Sequence, residues 1–227
     1  MDVQEEINIE KTYATLLEGK KPEDWEEAPG MDVAWSEHVL PTHIATRFQL
    51  ILDRYWKQRR ETGENDPFPG LDSRKVDMTP YNESRNTFER RQLLYYRIIG
   101  TLPPDPNIHA CAHLYASDRN SLFIVANHLD VGGRSALMAS LSHTVVFHTH
   151  SEQIMMQADG KEHGERVWFC KEDWTTRAAG GRGIHQSRMI GPGGVHVASS
   201  WQEGMVRVGG KEFRGEAEYR EARARKL

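Results

Sequence analysis

Three histidines have the spacing of metal ligands. On a strand, residues i and i+2 face the same way, so His148 and His150 would point together, and His163, from the loop around Gly160, would supply a third zinc ligand. The zinc reading is not preferred, and no metal and no cofactor are expected. Cys111 and Cys170 are the only cysteines. Each sits in an apolar or aromatic stretch, with no CxxC pair, so both read as buried thiols of a reducing compartment rather than as a nucleophile or a disulfide. Two glycine clusters, Gly180 to Gly183 and Gly191 to Gly194, look at first like phosphate loops. Neither matches a full P-loop or lies between a strand and a helix, which makes them turns or bulges. Tyr95, Tyr96, Trp168 and Trp174 lack basic residues interleaved on one face, against a role in stacking nucleic-acid bases. The formal net charge of −4 gives no general reason to expect nucleic acid or an anionic membrane as partner. No apolar run approaches the roughly 20 residues that span a bilayer.

These side chains must be held by elements, and the pattern of the chain names them. Of the 227 residues, 38 % are hydrophobic and 27 % charged, as in a globular protein with an irregular portion. Residues 1 to about 40 are acidic and broken by Pro22, Pro29, Gly30 and Pro41, which reads as an extended or loosely helical lead-in. From Thr42, the residues Ile44, Phe48, Ile51, Leu52 and Tyr55 recur at helical spacing and predict an amphipathic helix. Strands are expected over Lys75 to Thr79 and Gln92 to Ile99. Ile108 to Leu129 predicts one largely apolar, buried helix. Further strands are expected over Leu137 to His148, Val167 to Trp174, Gly183 to Ile190 and Val195 to Val208. This is an α+β order: strands, a buried helix, then an antiparallel meander. Covering the sheet with that one helix is the economical solution. The boundaries drawn are 1–70 for the lead-in and amphipathic helix, 71–210 for the folded domain and 211–227 for a charged tail.

Four ordered blocks resemble the acyl-CoA thioesterase II family. The first is Leu114-Tyr115-Ala116-Ser117-Asp118. The second is Ala139-Ser140-Leu141-Ser142-His143, followed by Phe147-His148. The third is Gly180-Gly181-Arg182-Gly183, and the fourth runs from Val197 through Gln202 to Arg207. They are similar to the C-terminal half of those enzymes over roughly Val76 to Val208. The resemblance implies a hotdog fold, in which a curved antiparallel sheet wraps a central helix, here with an irregular, partly helical N-terminal extension. Members of the family usually carry two fused hotdogs. Residues 1–70 resemble the stretch that links the halves, so the resemblance implies a homodimer or pairing with a second hotdog.

The activity implied is hydrolysis of an acyl-CoA thioester by a positioned water. Carried over position by position, the carboxylate is Asp118, the hydroxyl is Ser140 where the family usually has threonine, and the amide is Gln202. His143, Phe147 and Arg182 are the expected substrate contacts. Arg188 and Arg207 join Arg182 as candidates for the CoA phosphates. The loop Ser151 to Arg166 is longer than in the family, and Thr149-His150 replaces the usual Arg-Pro. Two other functions share this fold: a hydratase or dehydratase acting on acyl thioesters, which His143 and His148 keep open, and a non-catalytic acyl-thioester-binding partner. The acidic start, Met1-Asp2-Val3-Gln4-Glu5-Glu6, is unlike a leader peptide and points to an intracellular protein. The closing Lys226-Leu227 matches the end of a peroxisomal Ser-Lys-Leu signal, with Arg225 where a small residue is expected, so cytoplasm and peroxisome both stay open.

Overall fold

Alternating side chains on β-branched and aromatic runs build a single antiparallel sheet. The computed structural model describes residues 8–27, 70–119, 121–129, 135–158 and 164–208. The strands are β1 (Glu26–Glu27), β2 (Leu71–Lys75), β3 (Gln92–Ile98), β4 (Ser135–Phe147), β5 (Phe169–Ala179), β6 (Arg182–Ile190) and β7 (His196–Val208). Among the described residues they form a seven-stranded sheet in the order β1-β2-β3-β5-β6-β7-β4. The helices are α1 (Ile9–Thr12), α2 (Ala14–Leu17), α3 (Thr79–Asn82), α4 (Pro106–Asp118) and α5 (Ser121–His128). The sheet wraps α4 and α5, which is the hotdog arrangement. No helix among the described residues is long and apolar enough to cross a membrane.

Four expectations need correction. The strands after the helix are not a simple meander: β5, β6 and β7 follow one another, but β4 pairs with β7 and β5 pairs with β3. The strand placed at Lys75 to Thr79 lies earlier, at Leu71–Lys75, because Pro80 in the first turn of α3 suits a helix start and not a ladder. The strand placed at Val167 to Trp174 runs on to Ala179, because Gly180 (φ 60°) and Gly181 (φ 74°) close a two-residue hairpin there. Both positive φ angles suit the primed turns that match strand twist. The helix expected over Ile108 to Leu129 is two helices. Its start is as composition dictates: Asp105 accepts from the Asn107 N–H at 2.9 Å, and Pro106 occupies the first turn. Its continuity fails at Arg119, whose backbone is extended (φ −62°, ψ 125°). The amphipathic helix expected from Thr42 lies outside the described residues.

Register explains how α5 is held. Gly183 and Gly204 face each other across β6 and β7. A Cβ on Gly183 would lie 2.3 Å from Val125 Cγ1, and one on Gly204 would lie 2.2 Å from Leu122 Cδ2. Only glycine lets the helix sit this close. Around α4, Tyr96, Ala116, Met156, Phe169, Met189 and Ala198 belong to one buried cluster. His113 ties that cluster together, with Nδ1 2.8 Å from the Tyr96 hydroxyl and Nε2 2.9 Å from the Ile154 carbonyl. The opposite face of the sheet is covered by the lead-in. Ile9, Tyr13, Leu17 and Trp25 bury against Val76, Leu93, Cys170 and Ile190. The Tyr13 hydroxyl donates to the Glu172 carboxylate, which Arg188 also grips. Of the two cysteines, Cys170 is buried as expected, whereas Cys111 is exposed on α4.

Gly183→Ala should therefore lower unfolding stability by about 1–3 kcal/mol, the usual cost of forcing a methyl into a filled core. Urea denaturation measures it. Val125→Ala in the same chain should recover part of the loss; no recovery would mean the Val125 contact is not its source.

Candidate active site

Asp118 is the last residue of α4, Ser140 lies on β4 and Gln202 on β7. The Gln202 side-chain amide brings the three together. Its Nε2 donates to Asp118 Oδ1 at 2.7 Å and to Ser140 Oγ at 2.7 Å. Both amide hydrogens are thereby used. Gln202 is buried, at 1 % exposed, and its Oε1 has no hydrogen-bond partner. Asp118 and Ser140 are exposed. The arrangement is a buried amide that fixes a carboxylate and a hydroxyl at the solvent boundary.

A β-bulge shapes this site. Ser140 pairs with Gly204 and His143 with Gln202, with a register shift between Ser140 and Ser142. Strict alternation would send residues 140 and 143 to opposite faces. The extra residue at Leu141 brings both to the helix-facing side. His143 Nε2 lies 3.1 Å from Ser117 Oγ, one residue from the carboxylate. Partial burial pulls His143 below the ordinary histidine range, with Asp118 acting in the opposite sense and Lys171 adding to the depression.

The sheet row beneath is polar. His185 is opposite Gln202 on β6, and Thr175 is opposite His185 on β5. Buried His185 bonds through Nε2 to Asp173 Oδ1 at 2.8 Å, and Lys171 Nζ lies 3.5 Å from the same carboxylate oxygen. Burial pushes the Asp173 carboxyl up, but Lys171 and His185 outweigh it and leave it below the usual carboxylate range. Burial pulls His185 down against the opposing pull of Asp173. An ionised carboxylate can only accept, so His185 carries its proton on Nε2 and is otherwise neutral. Sequence reasoning does not single out Lys171, Asp173, His185 or Ser117. The available signal is Lys171 and Asp173 at i and i+2 on a strand that otherwise reads as buried.

The other expected contacts are dispersed. Phe147 shares the helix-facing side but packs at the core end of β4, its ring 6.3 Å from that of His113. Arg182 is exposed and pairs with Glu203 at 3.0 Å. Arg188 is bound to Glu172 beneath the lead-in, on the face away from Asp118 and Gln202. His148 bonds Ser199 Oγ at 2.9 Å and lies 4.6 Å from the His196 ring, while His163 is outside the described residues. A cleft of about 560 Å³, lined by Glu152, Met155, Gln157 and Val195 among others, does not include Asp118, Ser140 or Gln202. The three side chains sit on or beside β4, the edge strand of the sheet among the described residues.

The chain belongs to the acyl-CoA thioesterase C-terminal domain family, whose model matches residues 53–206. That match begins inside the stretch read from sequence as lead-in. Among solved structures, the chain is similar to an acyl-CoA thioesterase II TesB2 from Mycobacterium marinum, at 25 % identity and TM-score 0.49, covering 69 % of this chain and 52 % of that one. A tesB protein from Mycobacterium avium subspecies paratuberculosis matches at 20 % identity and TM-score 0.45, covering 60 % and 47 %. A protein of unknown function with a hotdog fold from Alicyclobacillus acidocaldarius matches at 14 % and TM-score 0.46, covering 64 % and 50 %. The chain thus spans about half the length of these relatives. No curated protein matches it.

The His143 environment makes a checkable statement about geometry. Its imidazole should titrate below the ordinary range in an NMR pH series. Asp118→Asn should lower it further, because the carboxylate is what holds it up. An unchanged midpoint would separate the two side chains.

Proposed function

We propose that the chain hydrolyses acyl-CoA thioesters to a free acid and CoA. The observation that carries this reading is the Gln202 amide bridging Asp118 and Ser140 at 2.7 Å each, in a member of the acyl-CoA thioesterase C-terminal domain family. Water is a poor nucleophile and must lose a proton as it attacks. The Asp118 carboxylate takes that proton. Gln202, donating to both Asp118 and Ser140, holds the two at the place of attack. Ser140 Oγ already accepts from Gln202, so its own hydrogen is directed outward, toward the attacking water or the thioester oxygen. A bond forms from the water oxygen to the carbonyl carbon, and the tetrahedral intermediate expels the CoA thiolate. The proton on Asp118 returns to the leaving sulfur. His143, neutral beside Ser117, borders the same space and contacts the substrate near the reacting carbonyl.

Pairing with a second hotdog belongs to this reading. β4 is an edge strand of 13 residues, and Leu141, Val146 and Trp201 beside it are 50 %, 42 % and 40 % exposed. Long apolar edges invite pairing. A second hotdog laid against β4 would also roof the exposed Asp118 and Ser140. We expect a dimer by light scattering at micromolar concentration; a monomer there would remove the self-paired form of the proposal.

The catalytic test is thiol release from acyl-CoAs of graded length. Asp118→Ala and Gln202→Ala should each cut kcat roughly 10²-fold or more, the usual scale for general-base and positioning groups. Mutants within a few-fold of wild type would take those residues out of the mechanism. Loss of enoyl absorbance without thiol release would mark a hydratase instead, and binding without either reaction would mark a carrier of acyl thioesters.

A further inference from the structure

Helix α4 ends under the sheet, where its last carbonyls have no helical partner. Lys171 supplies one. Its ammonium is buried, at 1 % exposed, and donates to the Ala116 carbonyl at 3.1 Å and the Arg119 carbonyl at 3.0 Å. These two carbonyls flank Asp118. A buried ammonium needs a counter-charge. Asp173 lies 3.5 Å away on the same face of β5, and His185 holds Asp173 from β6. From the far side, Ser121 Oγ donates to the Asp118 carbonyl at 2.8 Å and starts α5.

The alternative to this break is present in the same segment. The apolar periodicity of Ile108 to Leu129 favours one continuous helix. Each residue added to a helix turns the chain by about 100°, so a helix running through Arg119 would redirect the chain beyond Asp118 and swing Ser121, which holds the Asp118 carbonyl, and the rest of α5 off their seat on β6 and β7. Lys171 opposes that outcome, because a continuous helix would draw the Ala116 carbonyl into its own ladder and leave the ammonium without it.

We propose that Lys171 is a positioning residue for Asp118: its ammonium pins the chain on both sides of the carboxylate, and Asp173 with His185 holds the ammonium in place. Lys171 bonds to backbone and not to the carboxylate, so it acts through the chain. Only the kinetic arm of the test rests on the thioesterase reading.

The test is Lys171→Met combined with Asp173→Asn in the full chain, which removes both charges at similar volume and leaves no unpaired ion inside. The first readout is the pair of Gln202 side-chain amide NMR signals, assigned by their loss in Gln202→Glu. They should move toward the position of a free glutamine amide, while methyl signals of the core around Phe169 and Met189 stay in place. The second readout is kinetic: kcat should fall roughly 10- to 100-fold, as for a misplaced catalytic group, with KM nearly unchanged. A folded variant with Gln202 signals at wild-type positions, or with unchanged kcat, overturns the proposal. If the double variant does not fold, Lys171→Arg takes its place under the same criteria, since its longer planar head keeps the charge but cannot sit on both carbonyls. If wild type releases no thiol, the thioesterase reading fails, and the amide signals alone decide whether Lys171 positions Asp118.

Discussion

The distance between helix and sheet is the constraint from which the site follows. Gly183 and Gly204 let Val125 and Leu122 approach the strands to within what would be the volume of a methyl group. That approach brings the α4–α5 junction down onto β7. Only then can Gln202, anchored on the strand, reach Asp118, anchored on the helix end, at 2.7 Å. Interiors are close-packed and do not stretch. A helix lifted by one methyl would leave a buried amide facing an empty place, which costs more than the lost bond alone.

The face under that helix is unusual for a core. Lys171, Asp173, Thr175, His185, Ser187, Ser200 and Gln202 are all buried there. Apolar side chains would stabilise such a layer more simply, because desolvating charges offsets much of their attraction. What the polar layer provides is direction. Ser187 and Ser200 bond each other at 2.6 Å, His185 bonds Asp173, and Lys171 bonds the carbonyls at the helix break. Dispersion holds a helix at a distance, whereas these bonds also fix where it ends. The aromatic cluster of Tyr96, His113 and Phe169 completes the frame at the other end of α4.

The two sides of the sheet have divided their tasks. The side away from the helices is closed by the lead-in through Ile9, Tyr13 and Leu17, and its charges, Glu172 and Arg188, neutralise each other there. Among the described residues β4 is the last strand of the sheet, and Asp118, Ser140 and Gln202 lie beside it.

The sequence by itself determined where the strands after the helix run and the hairpin glycines, and its short ordered blocks singled out Asp118, Ser140 and Gln202 as candidates, because these depend on local pattern. Tertiary structure decided three things. It broke the helix at Arg119, where Lys171, far along the chain, supplies what the local periodicity lacks. It placed Ser140 and His143 on one face through a bulge at Leu141, which no alternation rule contains. It separated Arg182 and Arg188 from Asp118 by sending them to other partners. In each case the deciding atom comes from a strand distant in sequence, and spacing along one chain carries no record of which strands will lie side by side.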